Sequence, residues 1–262
     1  MTTYSQSAVR PSPVFLGVVA IAIAGGVLAW ISDFDSIAAK AGVFTLVVAG
    51  WIVTLSLHEF AHAYLAWRAG DHEVEMRGYL TLNPLKYAHP LLSIILPLAF
   101  IALGGIGLPG GAVYVHSHRF PPNTQRAISL AGPAMNALAA VVLLAVVVVF
   151  GYDGRPSFVA PDHAAFWFGL TFLAFLQVTA AVLNLLPIPG LDGFGLIEPS
   201  LSPRTRSQLM QYAPLGFLAV FALLTIGPIN AAFWDLVLAL FDLSGVPRDW
   251  VGYGDSLFRF WL

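Results

Sequence analysis

Hydrophobic runs long enough to cross a bilayer alternate along this chain with short polar loops. They cover about Val14–Ile31, Val43–Gly70, Ile128–Phe150 and Ala165–Leu186. A helical crossing takes about 17 to 25 apolar residues, so each of the four predicts a transmembrane helix. The first is expected to be retained, because the run is long and no small-residue cleavage site precedes Asp33 and Asp35. Leu91–Gly107 is shorter, is interrupted by Pro97 and ends in Gly104-Gly105-Ile106-Gly107, a pattern that predicts a re-entrant segment. Arg77–Leu82 alternates and leads into Asn83-Pro84, which predicts a short strand and turn at the membrane surface. The last apolar region, about Leu209–Leu243, breaks at Gly227-Pro228. It reads as one span followed by an interfacial helix, or as a hairpin.

Composition agrees with this pattern. Of 262 residues, 58% are hydrophobic and only 10% charged, against about 25% charged in a soluble domain. The expected fold is therefore an all-α polytopic membrane protein in a lipid bilayer, with a small β element and a re-entrant segment after the second span. A net charge of −2 argues against a nucleic-acid partner, and the lack of cysteine excludes disulfides, thiolate zinc sites and cysteine catalysis. If Leu91–Gly107 re-enters, Arg10, Arg68, Arg77, Lys86, Arg119, Arg126, Arg204 and Arg206 share one face, and Lys40 and Arg155 lie opposite. The positive-inside rule makes that basic face cytoplasmic.

Polar residues inside the apolar runs carry the chemistry. The second span contains His58, Glu59 and His62 on one continuous helix, and ionisable groups at membrane depth are expensive enough to read as functional. Histidines at i and i+4 leave one helix face a turn apart, the spacing a single divalent metal needs. Glu59, beside the first of them, can take a proton from a water at the metal. HExxH also arises by chance in soluble helices, but an apolar membrane helix gives that alternative no use for three polar groups. A hydrolytic zinc takes three protein ligands and keeps one position open. The best candidate for the third is Asp192, in the stretch from Asn184 to Gly193 that Pro187, Pro189 and Gly190 keep from being regular helix. By itself Asp192 could equally be a turn residue before glycine.

HEFAH on a membrane helix followed by Asn184-x-x-Pro187-x-x-x-x-Asp192-Gly193 resembles the site-2 protease family of intramembrane zinc metalloproteases. Gly132-Pro133-x-x-Asn136 resembles the start of that family's middle core helix, and LTLNPLK (residues 80–86) resembles its compact subgroup without a soluble insertion. The resemblance covers about Leu57–Gly193. It implies Zn2+ held by His58, His62 and Asp192, with Glu59 as general base and Asn184 orienting the substrate backbone. It implies a three-helix catalytic core, within about residues 43–193 of a single membrane-embedded domain. The helices at about 14–31 and 209–243 are then peripheral. The expected substrate is a transmembrane protein, of a membrane-tethered regulatory kind, cut near the cytoplasmic side. The chain departs from the family at Gly110–His118, where relatives often carry a tryptophan and a proline-rich loop, and it shows no PDZ or CBS module.

Rival readings come from other classes. A non-catalytic membrane protein that binds metal or transmembrane segments would not need Glu59 between the histidines, and an inactive homologue would usually have lost one of the four polar residues. A metal-dependent hydrolase of lipids would use the same groups. An extended substrate could pair with the strand expected near Tyr79–Leu82. His116 and His118, two apart, fit a second metal or a proton-sensing site, or plain interfacial residues. Substrate identity and oligomeric state are not legible in the sequence.

Overall fold

The computed structural model describes residues 9–34, 36–87, 119–152, 154 and 160–261. The expected re-entrant segment, Gly110–His118 and the His116–His118 pair lie outside them.

The four apolar runs are helices: α1 (Pro13–Ile31), α2 (Ile37–Ala69), α5 (Pro122–Val146, continued as one π-turn over Val147–Gly151) and α6 (Ala164–Asn184). All four are long and apolar enough to cross a membrane, and the chain is a multi-pass membrane protein. Ser12 and Ser36 cap α1 and α2 by accepting the N–H groups of Phe15 and Ala39. α2 ends at Gly70, whose φ of 110° is left-handed, a turn only glycine adopts cheaply.

α6 is apolar on every side and buried along nearly its whole length, as expected of a bundle's central helix. Around it pack α2, α5 and a late helix, α11 (Arg248–Phe258). α1 lies outside, tight against α2. A side chain on Gly25 would meet Leu46 N at 2.6 Å, and one on Gly42 would meet Ala29 N at 2.5 Å. Such small residues let membrane helices approach closely enough for dispersion contacts to hold them.

Between α2 and α5 the structure corrects one expectation. Arg77–Leu82 is not a strand: after the single turn α3 (Glu73–Met76), Tyr79–Thr81 is a 3-10 turn leading to α4 (Pro84–Tyr87). Gly78 and Leu82 flank the turn with φ of 76° and 56°, and these left-handed residues end any extended run. Alternation misled because Tyr79, Leu80 and Leu82 are all buried, clustering with Ala63, Ala66 and Tyr87 or close by. The carbonyls of Leu80 and Thr81 already accept the N–H groups of Arg10 and Ser12 (3.4 and 2.8 Å). The pairing edge imagined for substrate is thus occupied by the chain's own N-terminal segment.

After α6 come α7 (Asp192–Ile197), α8 (Pro203–Met210), α9 (Gly216–Leu224) and α10 (Gly227–Asp242). α9 and α10 meet at 98°. Their nine and sixteen residues rise about 14 and 24 Å at 1.5 Å each, each short of a roughly 30 Å hydrocarbon core. α11 had no counterpart in the sequence reading. Its signal was a stripe: Trp250, Gly254, Leu257 and Phe258 are buried at helical spacing, with Trp250 edge-on to Phe168 at 5.1 Å.

Candidate metal centre

α2 presents His58 and His62 one turn apart, buried with Glu59 in the bundle (5%, 8% and 3% exposed). Across from them, the chain leaves α6 at Asn184, runs irregularly through the two prolines and re-enters helix at Asp192. Gly193 makes this return possible, since a side chain there would collide with the carbonyls of Leu185 and Leu186. The Asp192 carboxylate consequently reaches both imidazoles: His58 Nε2 to Oδ2 is 3.2 Å and His62 Nε2 to Oδ1 is 3.3 Å. The two Nε2 atoms are 3.2 Å apart.

Both rings are oriented through their other nitrogen. His62 Nδ1 lies 2.6 Å from the Ile128 carbonyl, and His58 Nδ1 lies 3.1 Å from Asn136 Oδ1. A carbonyl only accepts, so Nδ1 carries a proton in each ring, and Nε2 is the nitrogen that offers a lone pair to a metal when the ring is neutral. Two ring nitrogens and a carboxylate thus converge, and no hydrogen bond reaches Asp192 Oδ2. Atoms this close repel unless a cation joins them, a proton at one Nε2 or a metal ion shared by all three.

Their spacing suits zinc. Bonds of about 2.0–2.1 Å in a tetrahedron set ligand atoms about 3.3–3.4 Å apart, and the three separations here are 3.2, 3.2 and 3.3 Å. Among the described residues this is the group of histidines and acids whose donor atoms lie within 4.8 Å of one another. The donor set therefore fits the metal that HExxH implied.

α5 supplies the floor. Gly132 stands so close beneath both rings that a side chain would meet His62 Nε2, and would lie 2.5 Å from His58 Cε1 and Nε2. The sequence reading named Gly132 and Asn136 only as parts of a motif. Their work is to make room for the two rings and to orient one of them. Ile128 acts through its backbone, which no side-chain pattern announces. Asn184 is buried at the end of α6. Tyr87 packs on α2 through α4 and donates its hydroxyl to the Tyr79 carbonyl at 2.9 Å. Burial, with the Glu59 charge adding to it, holds the Tyr87 phenol well above its usual pKa, so it stays a neutral donor.

A bundle of membrane helices around a His-His-Asp cluster, with both histidines buried and a glutamate beside the first, has the donor set of a metal-dependent membrane hydrolase. The particular family follows from relatives. The chain is 54% identical over 257 residues to "Putative zinc metalloprotease Rip2" of Mycolicibacterium smegmatis, covering 98% of this chain and 96% of that one. It is 48% identical over 260 residues to the protein of the same name from Mycobacterium tuberculosis, covering 99% and 97%. It is 30% identical over 197 residues to "Putative zinc metalloprotease YwhC" of Bacillus subtilis, covering 72% and 84%. No family model and no solved structure matches. The chain belongs to the site-2 protease family and is a zinc metalloprotease.

Proposed function

We propose that this protein hydrolyses peptide bonds within or near the transmembrane segments of membrane-tethered, regulatory proteins. His58, His62 and Asp192 hold the zinc in this reading. The observation that carries it is the convergence of those three ligand groups at zinc spacing in a membrane bundle, with both histidines and Glu59 buried.

When bound, zinc lowers the pKa of water to about 7 and polarises a carbonyl. Glu59 takes the proton of the attacking water and returns it to the nitrogen that leaves as the C–N bond breaks. Asn184, at the end of α6 near the loop that carries Asp192, orients the substrate backbone. The bundle buries His58, Glu59 and His62, and such burial strengthens the electrostatic contacts they make.

The helix pairing supports a depth for the reaction. α1 and α2 run antiparallel with Gly25 against Leu46 and Ala29 against Gly42. Extending that register sets Pro13, the first residue of α1, about level with His58. The site then lies at the end of the apolar layer, on the side where α1 begins, and the basic loops make that side cytoplasmic. Single-span reporter proteins in proteoliposomes test this, with products mapped by mass spectrometry. Cuts in the half of the reporter span nearest the basic face are expected. Cuts confined to soluble regions far from the bilayer would overturn the proposal.

A further inference from the structure

Asp192 is the donor with the least regular support: His58 and His62 ride a 33-residue helix, whereas Asp192 opens a helix of six after an irregular loop. What fixes that short helix is visible on α5. Arg126 donates from Nε to the carbonyl of Leu196 in the last turn of α7 (3.1 Å). It donates from Nη2 to Ser200 Oγ just beyond (2.7 Å), and from Nη1 to Asn123 Oδ1 on its own helix (3.0 Å). Beside it on α5, Ser129 meets α7 so closely that a side chain on Gly195 would lie 2.8 Å from Ser129 Cβ. Arg126, Ser129, Gly132 and Asn136 follow one another at spacings of three, three and four, and so share a face of α5. That face also carries the two contacts that orient the imidazoles or make room for them.

We propose that Arg126 is a positioning residue for Asp192: by tying the far end of α7 to α5, it sets the carboxylate in register with the two histidines. The inference rests on the reading of Asp192 as a zinc ligand. A guanidinium suits the task because its planar fork holds three acceptors in fixed directions, and a cation at a helix C-terminus interacts favourably with the last carbonyls. Arg126 touches neither zinc nor substrate; it acts through the geometry of α7.

The test is a double-mutant cycle on zinc affinity, read by competition with a chromophoric chelator on purified full-length protein in detergent, with thermal unfolding followed alongside. Arg126→Ala is expected to weaken zinc about tenfold or more, as loss of supporting partners does, and to have no further effect in an Asp192→Ala background. Arg126→Lys keeps the charge but not the fork and is expected to fall near Arg126→Ala. Equal losses in both backgrounds would mean general destabilisation, and an unchanged Kd for Arg126→Ala would likewise overturn the inference. Should Arg126→Ala fail to fold, Ser200→Ala removes a single bond at the exposed rim. It is then expected to weaken zinc several-fold in the parent alone, and no weakening there would sink the proposal. Unchanged affinity on Asp192→Ala by itself would instead remove the ligand reading beneath it.

Discussion

Gly132→Ala perturbs the metal centre by a single methyl group. An alanine Cβ would stand 2.5 Å from His58 Cε1 and Nε2 and closer still to His62 Nε2, whereas ordinary contact begins at 3.4 Å. Both imidazoles must therefore retreat, His58 by about 0.9 Å and His62 by more, and displacement on the order of 1 Å costs about a hundredfold in rate when positioned groups are involved. The retreat also strains the Nδ1 bonds to Asn136 and Ile128, since each ring is held from behind. A tenfold to hundredfold loss of zinc affinity is expected from disturbing such partners. Helix propensity works the other way: alanine inside a helix is favoured over glycine by about 1 kcal/mol. The site should thus be damaged while α5 is not. The assay pairs zinc titration and reporter cleavage with thermal unfolding, and takes Gly17→Ala as a control, because a side chain at Gly17 meets nothing within 4 Å. If Gly132→Ala bound zinc and cleaved like the parent, the cradle would not be as tight as argued, and the lone-pair argument for the metal would lose its floor.

Further outcomes follow from other contacts. Asn136→Ala removes the 3.1 Å partner of His58 Nδ1 and should weaken zinc about tenfold to a hundredfold, with His62 still held by Ile128; chelator competition reads this. Gly25→Val drives a branched side chain onto the backbone of α2, 2.6 Å from Leu46 N, and should lower stability by about 1–3 kcal/mol, seen as an earlier unfolding transition. Removing metal with a chelator should abolish cleavage, and stoichiometric zinc should restore it.

The apolar helices were legible because membrane spans need long uninterrupted hydrophobic runs: α1 and α6 match those runs within two residues, while α2 and α5 begin six residues earlier, in more polar sequence. The convergence of His58, His62 and Asp192 could be anticipated because each polar group stood out against an apolar background. Elsewhere the signals were weaker. Tyr79–Thr81 alternates like a strand, but its form is set by two left-handed residues and by a pairing with the N-terminal segment, which local pattern does not encode. α11 was missed because its buried stripe is interrupted by Asp249, Asp255 and small residues, so no apolar run marks it. Nor could the sequence show that a backbone carbonyl at Ile128 orients His62.

The most direct test compares the parent with Glu59→Gln at equal zinc content, each purified in detergent and offered the same single-span reporters. Glu59 is read as the proton carrier and not as a ligand, so the variant should bind zinc one to one. Its cleavage should fall by about two to four orders of magnitude, the usual worth of a general base. Cleavage by the variant at the parent's rate would contradict the account, because the proton would then be carried by some other group or the activity by some other protein.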